Sequence, residues 1–172
     1  MFIKEAIAVL HKAIIAGLTM DTESNTPIII LKSEKTDQAV PIWIGLLEAT
    51  SIASALKKVS FDRPMTHDLF KNLSDQLDII VSKVEICDIR NNTYYAQIHF
   101  LSKDQTFSID ARPSDAIAIA LRFNAPIFID DKVIEKSQMT LGAKMNMADQ
   151  SEDGKKWAEY LENLDPDDFG KV

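Results

Sequence analysis

One cysteine, Cys87, stands among 172 residues. That excludes an internal disulfide and a cysteine-built zinc site, and it suits a reducing cytoplasm. No apolar run approaches the roughly 18 residues that a membrane helix needs. Residues 6–18 come nearest, but His11 and Lys12 interrupt them and no A-x-A-like cleavage site follows. Neither a membrane anchor nor a signal peptide is expected. Basic residues are short as well: 19 Lys and Arg face 26 Asp and Glu, a net charge of −7. The deficit is uneven, because residues 149–172 hold eight acids and three bases while the other 148 residues hold eighteen and sixteen. No basic stripe is visible in either part, which argues against strong non-specific nucleic-acid binding and leaves room for a local positive patch or a metal-bridged site. What is present, 46% hydrophobic and 26% charged residues, is ordinary for one globular domain.

The clearest stretch is Asp110 to Phe128, DARPSDAIAIALRFNAPIF. A strand ends at Ala111, and Pro113 opens a helix at the position where its missing N–H costs nothing. Ala116 to Leu121 is apolar at every position, as in a buried helix, and Asn124 with Pro126 supplies the stop. Asp110, Arg112, Ser114 and Asp115 are therefore crowded at the mouth of a buried helix. Elsewhere the pattern predicts a strand in IIAGLT, a strand buried on both faces over 27–31, and an alternating strand over 39–44. A helix follows over 46–58, and another runs from Thr66, its N-cap, to about Leu77 with Leu69, Phe70, Leu73 and Leu77 inward. Strands follow over 79–89 and 94–101 around an Asn91-Asn92 turn, then over 105–111 with Phe107, Ile109 and Ala111 toward the core. Residues 127–129 read as a short strand and Val133-Ile134 as the start of a closing segment.

An offset of 67 residues superimposes Val40, Ile42 and Ile44 on Phe107, Ile109 and Ala111. It also superimposes Glu48-Ala49 on Asp115-Ala116 and Ile52-Ala53 on Ile119-Ala120. Two copies imply a duplicated compact domain. The expected fold is α+β, with duplicated β-β-α repeats (about 27–58 and 94–125) forming a single barrel-like mixed sheet packed by helices. The core domain is expected over 1–136 and a linker over 137–150. An acidic helical tail is expected over 151–172, with Trp157, Tyr160, Leu161 and Leu164 on one stripe.

Three motifs, PIWIGLLEATSIASAL (41–56), RPMTHDLF (63–70) and DARPSDAIAIALRFNAPIF (110–128), occur in order with the hairpin NNTYYAQI (91–98). Together they resemble the bifunctional nuclease domain family over roughly residues 14–136. The resemblance implies a barrel-like α+β sheet of two repeats and hydrolysis of both DNA and RNA. The competing function is a non-catalytic regulatory or scaffold domain that binds a small ligand or a protein partner. A homo-oligomer fits either function, and no membrane partner is expected.

His67 is the leading catalytic candidate, as general base or acid; the alternative is that His67 and Asp68 merely fill the first turn of a capped helix. Asp68 and Asp115 are the accompanying catalytic carboxylates. Glu48 and Asp110 are the candidate metal ligands, since converging carboxylates hold Mg2+ or Mn2+ through hard oxygen ligands. The acids at helix starts have a simpler explanation in the helix dipole. Arg63, Arg112 and Ser114 are candidate substrate-binding groups, the arginines for phosphate. An Arg112 pair with Asp110 or Asp115 and a capping role for Ser114 are their structural counterparts. Trp43 points away from the Val40 face, to cover a second layer, line an interface or stack a base.

Overall fold

Alternating apolar residues build the strands, and strand register decides where the polar groups fall. The computed structural model describes residues 9–21, 24–36, 38–103 and 105–141. In it β1 (Leu10–Asp21), β2 (Thr26–Ser33) and β3 (Ala39–Trp43) form an antiparallel meander. A second meander comprises β4 (Ile79–Arg90), β5 (Thr93–Ser102) and β6 (Gln105–Ala111). Between them lies β7 (Ile127–Asp130), antiparallel to β1 and parallel to β4. The result is one seven-stranded mixed sheet, ordered β3-β2-β1-β7-β4-β5-β6. Four helices complete the α+β fold: α1 (Leu46–Leu56), α2 (Thr66–Gln76), α3 (Pro113–Phe123) and α4 (Asp131–Leu141).

The sheet is curled but open, not the barrel expected. Register shifts at Ile15/Gly17, Val81/Lys83 and Ile86/Asp88 increase the local twist. The Tyr94 hydroxyl of β5 thereby reaches the Pro41 carbonyl of β3 at 2.7 Å. The edge strands β3 and β6 nevertheless do not pair. Element order is the same in the two halves, three antiparallel strands and then a helix, but burial is not. Val40, Ile42 and Ile44 are buried, whereas Phe107 and Ile109 at the superimposed positions are 42% and 51% exposed. The helices stop short of covering β6, which overturns the expected core face of that strand.

Other differences have similar causes. β2 buries alternate residues only, Pro27, Ile29, Leu31 and Ser33, because one face of the sheet is covered there. α2 begins with Thr66 as its first helical residue and Met65 as its cap. Its inner side is Phe70 and Ser74, while Leu69, Leu73 and Leu77 face out. Residues 137–141, read as linker, belong to α4, which lies against β3, β4 and β7 and buries Val133, Ile134 and Ser137. The remainder of the linker and the acidic tail fall outside the described residues. Among those described, no helix is long and apolar enough to cross a membrane.

α3 follows the sequence closely. Pro113 is its first residue, Ala116 to Ala120 are buried, and Asn124 ends it at φ 51° in the left-handed region. Its alanines and those of α1, Ala49 and Ala53, let the two helices approach closely over a core of Ile29, Leu31, Ile52, Val84, Ile86 and Ile117. That close approach brings the polar starts of α1, α2 and α3 together.

Candidate functional site

His67 is the second residue of α2, and its imidazole bridges the other two helices. Nδ1 lies 2.9 Å from Ser51 Oγ of α1, and Nε2 lies 3.2 Å from Asp115 Oδ1 of α3. Its side chain is 17% exposed. Asp115 can only accept while ionised, so it fixes the proton on Nε2. In the neutral ring Nδ1 is then the basic position, and the Ser51 hydroxyl donates to it.

Arg112, the cap of α3, closes the other side. Its Nε donates to Asp115 Oδ2 at 2.7 Å, one terminal nitrogen donates to Asp115 Oδ1 at 3.2 Å, and the other donates to Glu48 Oε1 at 2.8 Å. The guanidinium remains 66% exposed. Burial pushes the Asp115 carboxyl up, but the hydrogen bonds from Arg112 and then His67 outweigh it and hold the group below the usual carboxylate range. The same contacts, with Glu48, raise Arg112. Gly45, just before α1, leaves room beside the Glu48 carboxylate: a Cβ there would meet Oε2 and make the side chain shift.

Arg122, one of two groups that sequence reasoning missed, holds α2 in place. Its side chain is 7% exposed. Nε donates to Asp68 Oδ1 at 2.5 Å, and one terminal nitrogen donates to the carbonyls of Ala118 at 3.1 Å and Ser51 at 3.3 Å. Asp68 also accepts from the Met65 backbone N–H at 3.1 Å, which caps α2. Ser51 is the other missed group. Both carried a usable signal, Ser51 three residues after Glu48 and Arg122 seven after Asp115, each pair on one helix face.

The remaining candidates separate. Arg112, Glu48 and Ser114 line a cavity of about 290 Å³ with Trp43 and Tyr94. Trp43 donates from Nε1 to Asp21 Oδ2 at 2.9 Å. Arg63 lines a second cavity of about 440 Å³ with Lys58, Asp68, Asn72 and Arg122. His67 and Asp115 line neither. Asp110 is exposed on β6 opposite Gln97, apart from the cluster. Among the described residues no group of three or more His, Cys, Asp or Glu side chains stands together to hold an ion. Glu48 and Asp115 share the single guanidinium of Arg112, which offsets one of their two charges.

Comparison with known proteins adds identity to geometry. The family model described as "Bifunctional nuclease domain" matches residues 29–142. An uncharacterised protein of Mycobacterium tuberculosis is 33% identical over 159 residues, 90% of this chain and 95% of that one. Bifunctional nuclease 1 of Arabidopsis thaliana is 33% identical over 109 residues, 60% of this chain. Bifunctional nuclease 1 of Oryza sativa subsp. japonica is 24% identical over 116 residues, 66% of this chain. The matched regions span about a third of those plant proteins, 33% and 35% of their lengths.

Proposed function

The chain belongs to the bifunctional nuclease domain family, and from that premise we propose that it hydrolyses phosphodiester bonds of DNA and RNA with low sequence preference. The observation that carries the reading is His67 held between Ser51 and Asp115, next to an exposed arginine. In this proposal Asp115 keeps the proton on Nε2; as the water oxygen bonds to phosphorus and the P–O ester bond breaks, the water's proton passes through the Ser51 hydroxyl to Nδ1, and the imidazolium returns it to the leaving oxygen. Arg112 meets the phosphate, with Ser114 beside it and Arg63 on the far side of the cluster along the strand's path. Asp68 acts on position, through the α2 cap and Arg122. Any requirement for Mg2+ or Mn2+ is assigned to ions carried by the substrate's own phosphates, because Glu48 and Asp115 are committed to Arg112 and Asp110 stands apart. A cytoplasmic setting, a homo-oligomer and an origin of the two halves by duplication complete the proposal.

A second reading has its own support. Every acid in the cluster is already paired, Glu48 and Asp115 with Arg112 and Asp68 with Arg122. That suits a non-catalytic regulatory or scaffold domain in which the pairs join three helices. The experiment is hydrolysis of single- and double-stranded DNA and RNA by purified protein, with and without Mg2+ or Mn2+, alongside His67→Ala and Asp115→Asn. The nuclease reading expects a loss on the order of a hundredfold or more in each folded variant. Activity that survives both substitutions belongs to another site, and inactive wild-type protein favours the second reading.

A further inference from the structure

The two edges of the sheet are treated differently. β3 is five residues long, contains Pro41 and has α4 against it. β6 is seven residues long, contains no proline, lysine or arginine, and is exposed on both sides from Gln105 to Asp110. Proteins blunt open edges with proline, charge or cover, and β6 has none of these but Asp110. Its register partners are Phe100 opposite Phe107 and Ile98 opposite Ile109. Paired residues share a face, so Phe107 and Ile109 extend the buried face of the sheet past the last helix. Phe107 stacks on Phe100 at 5.1 Å, and Phe70 of α2 meets the same Phe100 edge-on at 6.2 Å.

The geometry points to a second copy of this chain as the partner of β6, the two strands pairing antiparallel about a two-fold axis at Ser108. The strand is complementary to itself in that register. Phe107 of one copy stands opposite Ile109 of the other, Gln105 opposite Ala111, and Thr106 opposite Asp110. No like charges face each other across the pair, in a chain whose net charge of −7 penalises most symmetric contacts. A closed two-fold pairing consumes the edge of both copies, whereas a head-to-tail pairing of copies would leave one edge free. Arg112 follows β6 directly, four residues from the axis, so the paired sheet would set two copies of the His67 cluster's arginine about 26 Å apart along the strand direction, at ~3.3 Å per residue.

Light scattering after size exclusion of the full chain over a range of concentrations tests this, together with Ile109→Lys and the double variant Ser108→Cys, Cys87→Ser. The wild type is expected as a dimer. Ile109→Lys should keep its far-UV circular dichroism and raise the dimer dissociation constant at least tenfold. Ser108→Cys should form an intermolecular disulfide on mild oxidation, since the axis places residue 108 against itself. Wild-type protein that is monomeric at every concentration overturns the assignment. So does a dimer that tolerates Ile109→Lys and fails to cross-link at position 108. Full-length monomers that dimerise only after removal of residues 142–172 would assign the surface to the tail, which also overturns it.

Discussion

Asp115 is the residue on which the cluster balances, since it orients His67 and takes two hydrogen bonds from Arg112. Arg112→Met removes both arginine bonds and leaves burial opposed only by His67. The Asp115 carboxyl should then titrate higher, which carboxyl NMR can follow. If Arg112 also receives phosphate, the same variant should raise KM more than it lowers kcat. Arg112→Lys should not restore either property, because an ammonium cannot bridge Glu48 and Asp115 as a planar fork does. Stability should change by no more than about 1 kcal/mol, given how exposed the guanidinium is. Ser51→Ala separates orientation from chemistry. It leaves His67 Nδ1 without its partner, so a positioning role predicts about a tenfold loss in kcat with a shifted pH profile, much less than for His67→Ala.

At the scale of elements, α2 is anchored by a short set of side chains: Phe70 packs on Phe100 and Phe123, Asp68 binds Arg122, and His67 meets Ser51 and Asp115. Arg122→Met should cost roughly 2–3 kcal/mol, because Asp68 loses its cation and two carbonyls lose a donor. That corresponds to a fall of about 4–12 °C in Tm for a chain of this size. Adding Asp68→Leu should recover part of the loss, since both halves of the pair are then gone, and a double-mutant cycle by thermal melting measures the coupling. The sequence made α3 legible because its start at Pro113, its apolar middle and its stop at Asn124 are all local signals. β3, β5 and the Asn91-Asn92 turn, with φ of 49° and 59°, were legible for the same reason. Leu69, Leu73 and Leu77 were misplaced because helical spacing shows that an apolar stripe exists, not whether a sheet lies beneath all of it. Likewise His67 and Asp115 could be named as candidates, but their contact depends on how α2 packs against α3, and the parts played by Ser51 and Arg122 depend on how α1, α2 and α3 meet.

Across the whole molecule, the shifts of three titrating groups predict how stability follows pH: His99 within the sheet, Asp88 between β4 and α4, and Asp115 at the helix junction. His99 of β5 is half-buried; its Nε2 makes no hydrogen bond, although Glu85 Oε2 is 3.3 Å away. Burial, and then the Lys83 charge, push its pKa down against Glu85. A base lowered in this way is neutral in the folded protein while the unfolded chain still takes up protons. Its contribution is therefore intact above the unfolded value of about 6.5 and declines as pH falls below it. Asp88 of β4 is held well below the carboxylate range by Lys136 of α4 and then Arg90, and Asp115 is lowered more modestly at the helix junction. These acids contribute fully above the unfolded value of about 3.9, and that contribution is lost as pH drops toward their folded values. Thermal melts from pH 8 to pH 3 should accordingly show two declines, one beginning near pH 6.5 and a steeper one below about pH 4. His99→Gln should flatten the first and leave the second. Lys136→Met should weaken the second without touching the first, because it leaves Asp88 with the Arg90 cation alone and loosens α4 from β4 while His99 keeps its surroundings. A single acid transition unchanged by either substitution would mean that neither the burial of His99 nor the Asp88–Lys136 pair between β4 and α4 supports the fold in solution.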